Sequence, residues 1–109
     1  MRKLYIVKHQ YDFDRIIKLN NCIKSDYFVI YQENNDLKYD CFGISVGKKL
    51  GNAVYRNKMK RKIRSIIDIY RKDYNNKKNY IIILRKKGKD ISFEELKEDL
   101  INLFLQINK

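Results

Sequence analysis

The chain has 109 residues and carries 25 lysines and arginines against 13 aspartates and glutamates, a net charge of +12. Such an excess favours an anionic partner, either nucleic acid or an anionic membrane surface. The length is typical of one domain, and the chain has no proline, no linker rich in glycine or serine, and no internal repeat. We therefore expect a single domain over residues 1–109.

Residues that commonly carry catalysis or metal binding are few. Cys22, Cys41 and the single histidine, His9, are too few for a four-ligand zinc site in one chain. We expect both cysteines to be reduced thiols rather than a disulfide, as is typical of the cytoplasm, and His9 to be a surface residue. Asp12 and Asp14 could face one cleft, but carboxylates so close to a helix start more often serve its N-terminus. The composition favours a binding protein over a self-sufficient enzyme.

The first predicted element is a short amphipathic helix at about residues 10–19. Phe13, Ile16 and Ile17 recur at helical spacing and form one apolar face. Asn20 follows, and asparagine tolerates the left-handed turn that ends a helix. On residues alone, Phe13 is more often a core residue than a ligand contact.

Two strands follow. Asp26–Gln32 is rich in aromatic and β-branched residues, and Val29 and Tyr31 share one face of it. Residues 33–36 predict a turn, and Lys38–Val46 predicts a returning strand. The pair is predicted to form a β-hairpin.

The most distinctive segment is basic. Eight of the 18 residues from Gly47 to Arg64 are lysine or arginine, and no acidic residue occurs between Asp40 and Asp68. A loop with Lys48 and Lys49 leads into a helix predicted for about residues 53–73. Its apolar stripe is formed by Met59, Ile63, Ile66, Ile67 and Tyr70. Its polar flank carries Asn57, Lys60, Arg61, Arg64 and Arg71, with Arg56 on the shoulder between the two.

A basic helix face is often only solvated, but like charges without acidic neighbours repel one another along the helix. Phosphates would neutralise that repulsion, which favours nucleic acid. The alternatives are a DNA-binding protein with this helix in the major groove, a polybasic membrane-surface protein, and a stand-alone nuclease. The apolar stripe argues against the first, the lack of an exposed apolar face against the second, and the absent catalytic motifs against the third.

The last predicted elements are a strand and a helix. Tyr80–Leu84 is apolar throughout, which predicts an interior strand able to pair in parallel with a hairpin strand. Ser92 and Glu95 form a capping box at the start of the final helix. The apolar stripe of that helix comprises Phe93, Leu96, Leu100, Leu103, Phe104 and Ile107.

The segment from Phe42 to Arg64 resembles the signature of the bacterial ribonuclease P protein subunit. Its specific part is the Arg-Asn-x-x-Lys-Arg-x-x-Arg run from Arg56 to Arg64. Asp12-Phe13, the strand residues 28–31, and the run 80–85 match further family positions, so that the resemblance spans about residues 8–107.

This resemblance implies an α+β fold, a small α/β sandwich of α-β-β(-β)-α-β-α order. It would be like domain 2 of ribosomal protein S5, with a left-handed βαβ crossover where sequence alone predicts the common right-handed one. It also implies a cytoplasmic endoribonuclease holoenzyme that removes the 5′ leader from precursor tRNA. The catalyst would be an RNA subunit with Mg²⁺, and the protein alone would not be catalytic. The implied partners are the catalytic RNA and precursor tRNA, without DNA or membrane, and with one protein copy per holoenzyme.

The resemblance also implies two surfaces. The RNA-binding set comprises Lys48, Lys49, Asn52, Arg56, Asn57, Lys60, Arg61 and Arg64. The set lining a cleft for the single-stranded leader comprises Phe13, Ile17, Val29, Tyr31 and Lys60. Ile17 departs from the family, because many members carry a second phenylalanine there, and isoleucine cannot stack on a base.

Overall fold

The computed structural model describes residues 2–108. In this range, three α-helices and four β-strands follow one another in the predicted α+β order. They are α1 Gln10–Lys18, β1 Cys22–Lys24, β2 Phe28–Asn34, β3 Cys41–Ser45, α2 Ala53–Arg71, β4 Lys78–Leu84 and α3 Phe93–Ile107. β1 is the optional strand of the expected order, and its three residues are too short to stand out as a periodic pattern.

The four strands form one sheet in the order β1-β2-β4-β3. β4 pairs antiparallel with β2 and parallel with β3, so that Tyr31, Ile81 and Gly43 lie in one row across the sheet. The predicted hairpin of β2 with β3 is therefore wrong, whereas the interior position of β4 and its parallel pairing are confirmed. An apolar strand is most stable in the interior of a sheet. β4 therefore lies between β2 and β3, which would be direct neighbours in a hairpin.

The connection between β2 and β3 consequently spans a strand's width instead of turning tightly. Glu33 and Asn34, predicted in the turn, continue β2. Asn35 organises the connection: its Oδ1 accepts a hydrogen bond from the Leu37 N–H at 2.9 Å, and its Nδ2 donates to Asn79 Oδ1 at 3.0 Å. This second bond ties the connection to the inserted strand.

One face of the sheet carries the main core, which α2 and α3 cover. The apolar stripe predicted for α2 is confirmed, since all five of its residues are buried. In α3, Leu96, Leu100, Leu103 and Phe104 are buried. The Ser92 hydroxyl caps α3 by accepting from the Glu95 N–H at 3.3 Å, but the Glu95 carboxylate accepts from the Tyr27 hydroxyl at 3.1 Å. Only half of the predicted capping box is therefore formed, and Glu95 instead ties α3 to the start of β2.

Of the α-helices within residues 2–108, α1 is the one that packs on the opposite face of the sheet. Ile16 of α1 and Ile81 of β4 are fully buried between them. Asn20 adopts the predicted left-handed conformation just after the helix, with a φ of 55°. Because one nine-residue helix cannot cover four strands, part of this face stays accessible.

Cys22 and Cys41 are free thiols, as expected. No helix within residues 2–108 is long and apolar enough to cross a membrane.

Candidate nucleic-acid interface

The loop before α2 is held in place by one apolar residue. A 3₁₀ turn covers Lys48–Leu50, with the Leu50 N–H donating to the Gly47 carbonyl at 3.0 Å. Leu50 packs against the core, whereas Lys48 and Lys49 are exposed. The turn therefore presents two cations at the start of the helix.

Asn52 has a structural role at this helix start. Its side-chain Oδ1 caps α2 by accepting from the Tyr55 N–H at 2.9 Å. Capping uses the acceptor of this amide and leaves the Nδ2 group as its donor. Gly51 lets the Tyr55 ring fold back, because a Cβ at Gly51 would lie 2.5 Å from Tyr55 Cδ2.

Asn57, Arg61 and Arg64 form an exposed row on α2, opposite the buried stripe. At 100° and 1.5 Å per residue, they lie within about 60° of one another and span about 10 Å of helix. Ser65, beside them, donates its hydroxyl to the Arg61 carbonyl at 3.1 Å. The buried stripe fixes the helix, so the row is presented on a rigid support.

Arg56 and Lys60 are placed differently, since both are half-buried. Arg56 lies within the angular range of the apolar stripe, closer to the core than the predicted shoulder. Its Nε is buried and has no hydrogen-bond partner among residues 2–108. An unsatisfied buried donor is costly, and because this atom is enclosed by the protein, a partner molecule can reach only the exposed part of the Arg56 side chain.

Arg71 shows which side of α2 faces the sheet edge. Its guanidinium carbon lies 3.7 Å from the centre of the Tyr5 ring, and the next residue, Ile6, bridges Phe42 of β3. Lys60 lies about 20° from Arg71 around the helix axis. Lys60 therefore occupies the side of α2 next to the β3 edge, between the exposed row and the sheet.

The predicted cleft residues come together on the α1 face of the sheet. Val29 and Tyr31 lie on that face of β2, and Phe13 and Ile17 project from α1; all four are half-buried. The fully buried apolar position of α1 belongs to Ile16 instead. Phe13 is thus neither fully buried in the core nor fully exposed to solvent.

Two further residues, Gly43 and Ile83, belong to this face and were not among the predicted cleft residues. Phe13 lies directly over Gly43, since a Cβ built on Gly43 would be 2.6 Å from Phe13 Cζ. A glycine inside a strand often marks such a close approach, so Gly43 is the feature of the sequence that indicates this contact. Ile83 pairs with Val29 and is half-exposed. The sequence did not indicate the exposure of Ile83, because an apolar run such as β4 predicts that both faces of the strand are buried.

An ion pair holds α1 on the sheet. Arg15 donates to Glu33 of β2 at 2.5 Å and to Asp12 at 2.6 Å, and Asn79 of β4 donates to Glu33 at 2.7 Å. The hydrogen bond from Arg15 is the main cause that lowers the pKa of Glu33. Asp12 thus pairs with Arg15, and Asp14 accepts from Gln10 at 3.0 Å, which argues for structural roles of both carboxylates.

Comparisons with known proteins agree with this architecture. The family model described as Ribonuclease P matches residues 1–108. The ribonuclease P protein component of Mycoplasma mycoides is 40% identical over 98% of this chain and 99% of that protein, and that of Streptococcus equi subsp. equi is 39% identical over 92% and 83%.

Two solved structures extend the likeness to three dimensions. The RNase P protein of Staphylococcus aureus has a TM-score of 0.86 and 39% identity, covering 96% of this chain and 95% of that one. The RNase P protein of Thermotoga maritima has a TM-score of 0.82 and 31% identity, covering 89% and 92%. Sequence, element order and tertiary structure therefore agree that the chain belongs to the ribonuclease P protein family.

Proposed function

We propose that this chain is the protein subunit of a ribonucleoprotein that removes the 5′ leader from precursor tRNA. The observation that carries the proposal is the exposed row of Asn57, Arg61 and Arg64 on a helix whose other side is locked into the core. Family membership supplies the reaction class, an endoribonuclease holoenzyme.

The basic surface would bind the catalytic RNA. Arginine and lysine neutralise phosphates and release counterions, while arginine and asparagine add directional hydrogen bonds. Lys48 and Lys49 extend the surface beyond the helix start, and Asn52 would contribute only its amide donor. Arg56, which is half-buried, would reach the RNA only through the exposed part of its guanidinium.

The α1 face would bind the single-stranded leader. Phe13 and Tyr31 offer aromatic surfaces, which stack on any base and therefore suit leaders of varied sequence. Val29, Ile17 and Ile83 add apolar contact at the floor and sides. Lys60, at the β3 edge, would attract the leader's phosphates where the two surfaces meet.

Phosphodiester hydrolysis would be the work of the RNA and its Mg²⁺. The basic surface does not fit a magnesium site of its own, because the stretch between Asp40 and Asp68 offers no carboxylate ligand. We further propose one protein copy per holoenzyme, a cytoplasmic location, and no DNA partner.

The direct test combines the purified protein with a bacterial ribonuclease P RNA and precursor tRNA at low Mg²⁺ and follows 5′ cleavage. We expect cleavage to be faster than with the RNA alone. A rate equal to that of the RNA alone would refute the proposal. Cleavage by the protein without RNA would revive the nuclease alternative.

The leader cleft is tested by comparing precursor with mature tRNA. Phe13→Ala should weaken holoenzyme binding of precursor tRNA by about fivefold or more, since a base–aromatic stack contributes ~1–3 kcal/mol. Binding of mature tRNA should stay nearly unchanged. Tyr11→Ala is the matched control, because Tyr11 lies on the same helix with 65% of its surface exposed. Equal losses for both tRNAs would remove Phe13 from the cleft.

A further inference from the structure

A second aromatic and charged cavity lies at the other end of α2, away from the α1 face. It has a volume of about 180 Å³ and is lined by Tyr5, Tyr39, Asp40, Arg71, Tyr74 and Asn75. Three separate segments supply these residues: the N-terminal stretch, the β2–β3 connection and the end of α2. The cavity is smaller than a typical drug site and suits one flat ring system.

Tyr74 offers a stacking platform on the wall of this cavity. One face of its ring stacks on Tyr70 at 4.8 Å between centroids, and Tyr70 stacks in turn on Phe104 at 4.4 Å. Tyr70 is 2% exposed, whereas Tyr74 is 40% exposed. The column is rooted in the core and ends in a ring with surface left for another aromatic group.

Asp40 supplies hydrogen-bond acceptors in the same cavity, although it is only 5% exposed. Its Oδ1 accepts from the N–H groups of Lys78 at 2.8 Å and Asn76 at 3.1 Å, while Oδ2 receives only the longer contact with Asn76, at 3.2 Å. A carboxylate has about four acceptor positions, so capacity remains, mainly on Oδ2. Burial raises the pKa of Asp40, and the N–H groups of Lys78 and Asn76 oppose this effect.

Cationic groups continue from the cavity along the surface. Arg71 also lines a neighbouring groove with Arg2, Lys72 and Asp68, and it lies 3.9 Å from the Asp68 carboxylate. Arg71 is seven residues after Arg64 and lies on nearly the same side of α2, about 10 Å further along the helix. An RNA strand docked on the exposed row would therefore reach the cavity after two helical turns.

We propose that this cavity binds one guanine base from a single-stranded segment of the catalytic RNA. Tyr74 stacks on the base, Asp40 accepts from its Watson–Crick edge, and Arg2 and Lys72 neutralise the adjoining phosphate. Guanine presents two neighbouring donors, N1–H and the N2 amino group, for the acceptor positions left on Asp40, mainly on Oδ2. No other base presents two donor groups on that edge. The cavity adjoins the α2 surface proposed to bind the catalytic RNA and not the leader cleft. Assigning the guanine to the catalytic RNA therefore rests on the proposed function.

Base specificity can be measured with mononucleotides on the full chain. Backbone amide spectra are recorded while 5′-GMP, 5′-AMP or ribose 5-phosphate is added to millimolar concentration. We expect GMP to shift the Asn76 and Lys78 amides, which bond Asp40, more than the other two probes do. Equal responses to all three would reduce the site to phosphate attraction and overturn the proposal, as would no response at these amides.

Variants locate the base on Tyr74. Tyr74→Leu should weaken GMP binding by about fivefold or more, the lower end of what a base–aromatic stack contributes. Tyr74→Phe keeps the ring and should bind as the unmodified chain does. Tyr11→Leu controls for loss of an exposed tyrosine elsewhere. If Tyr74→Leu binds GMP unchanged, the stacking assignment is wrong.

Photo-crosslinking shows which RNA supplies the base, and it distinguishes a failure of the cavity proposal from a failure of the proposed function. Catalytic RNA or precursor tRNA carrying 6-thioguanosine is irradiated in the assembled holoenzyme, and the crosslinked peptides are sequenced. We expect crosslinks from the catalytic RNA to the peptide containing Tyr74. Crosslinks there only from precursor tRNA, or from neither RNA, would overturn the assignment while stimulated cleavage still upheld the proposed function. GMP binding at the cavity without stimulated cleavage would uphold the base site and refute the proposed function.

Discussion

Gly43 is the position where one added methyl group tests the packing of the α1 face. A Cβ at Gly43 would lie 2.6 Å from Phe13 Cζ, 2.9 Å from Ile81 Cδ1 and 3.1 Å from Phe13 Cε2. Carbon atoms pack comfortably at about 3.5–4.0 Å, so in Gly43→Ala the Phe13 ring must retreat by about 1 Å. Ile81 is fully buried and has little room to yield.

We expect Gly43→Ala to lower the free energy of unfolding by about 1–3 kcal/mol, the usual cost of overpacking. Phe13 is only half-buried and can swing outward, which places the expected value towards the lower end. The measurement is urea unfolding followed by circular dichroism. Displacement of Phe13 should also weaken binding of precursor tRNA relative to mature tRNA.

Gly47→Ala is the matched control. Gly47 has a φ of −65°, and a Cβ there meets no atom within 4 Å. Alanine should therefore stabilise the fold by about 0.4–1 kcal/mol by restricting the unfolded chain. Gly43 has no positive φ and shares this gain, so the difference between the two variants isolates the steric clash.

A double-mutant cycle identifies the obstacle. In a Phe13→Ala background the ring is gone, so Gly43→Ala should cost less than it does alone, with a coupling of at least about 0.5 kcal/mol. A Gly43→Ala variant as stable as Gly47→Ala would refute the close contact. An unchanged cost in the Phe13→Ala background would assign the clash to Ile81 alone.

Three further predictions concern charge. Arg61→Ala should weaken RNA binding and reduce its salt slope by up to about one unit, whereas Lys97→Ala on acidic α3 should not; equal slopes would place Arg61 off the interface. The pKa of Glu33 is lower in the folded protein than its ordinary value of 4.5, so the stability that Glu33 contributes is present above that value and is lost as the pH falls through the folded pKa. Glu33→Gln should flatten this part of the curve of stability against pH. An unchanged curve would contradict the pairing with Arg15. Sulfate should raise the melting temperature because anions bind the folded basic surface, and an unchanged midpoint would argue against an organised anion site.

The sequence predicted elements whose signal is local. The sequence predicts the apolar stripe of α2 correctly because helical periodicity repeats over five buried residues. The helix-ending conformation of Asn20 was likewise a matter of neighbouring residues. The resemblance to a family then added what periodicity does not contain, the RNA partner.

Long-range pairing was the part that local patterns could not decide. β2 and β3 are neighbours in sequence, so a hairpin was the simplest arrangement, but β4 binds both of them more than 30 residues later in the chain. The Phe13–Gly43 contact and the cavity at Tyr74 depend on the same non-local arrangement. Sequence could name Phe13 as a candidate, but only the register shows what lies beneath it.

The two sides of α2 have opposite requirements, and the fold meets both with one rigid helix. Its apolar stripe packs into the core, while its exposed row repels itself in the free protein. Because the row is held on a fixed backbone, the proposed RNA binding would not have to order the helix, and the RNA phosphates would remove the repulsion. Binding and stability are therefore coupled through the same residues: a substitution in the exposed row that weakens RNA binding should leave the free protein as stable or more stable. A substitution in the apolar stripe should lower RNA binding and stability together. The different responses of the two sets of variants separate the surface role of α2 from its core role.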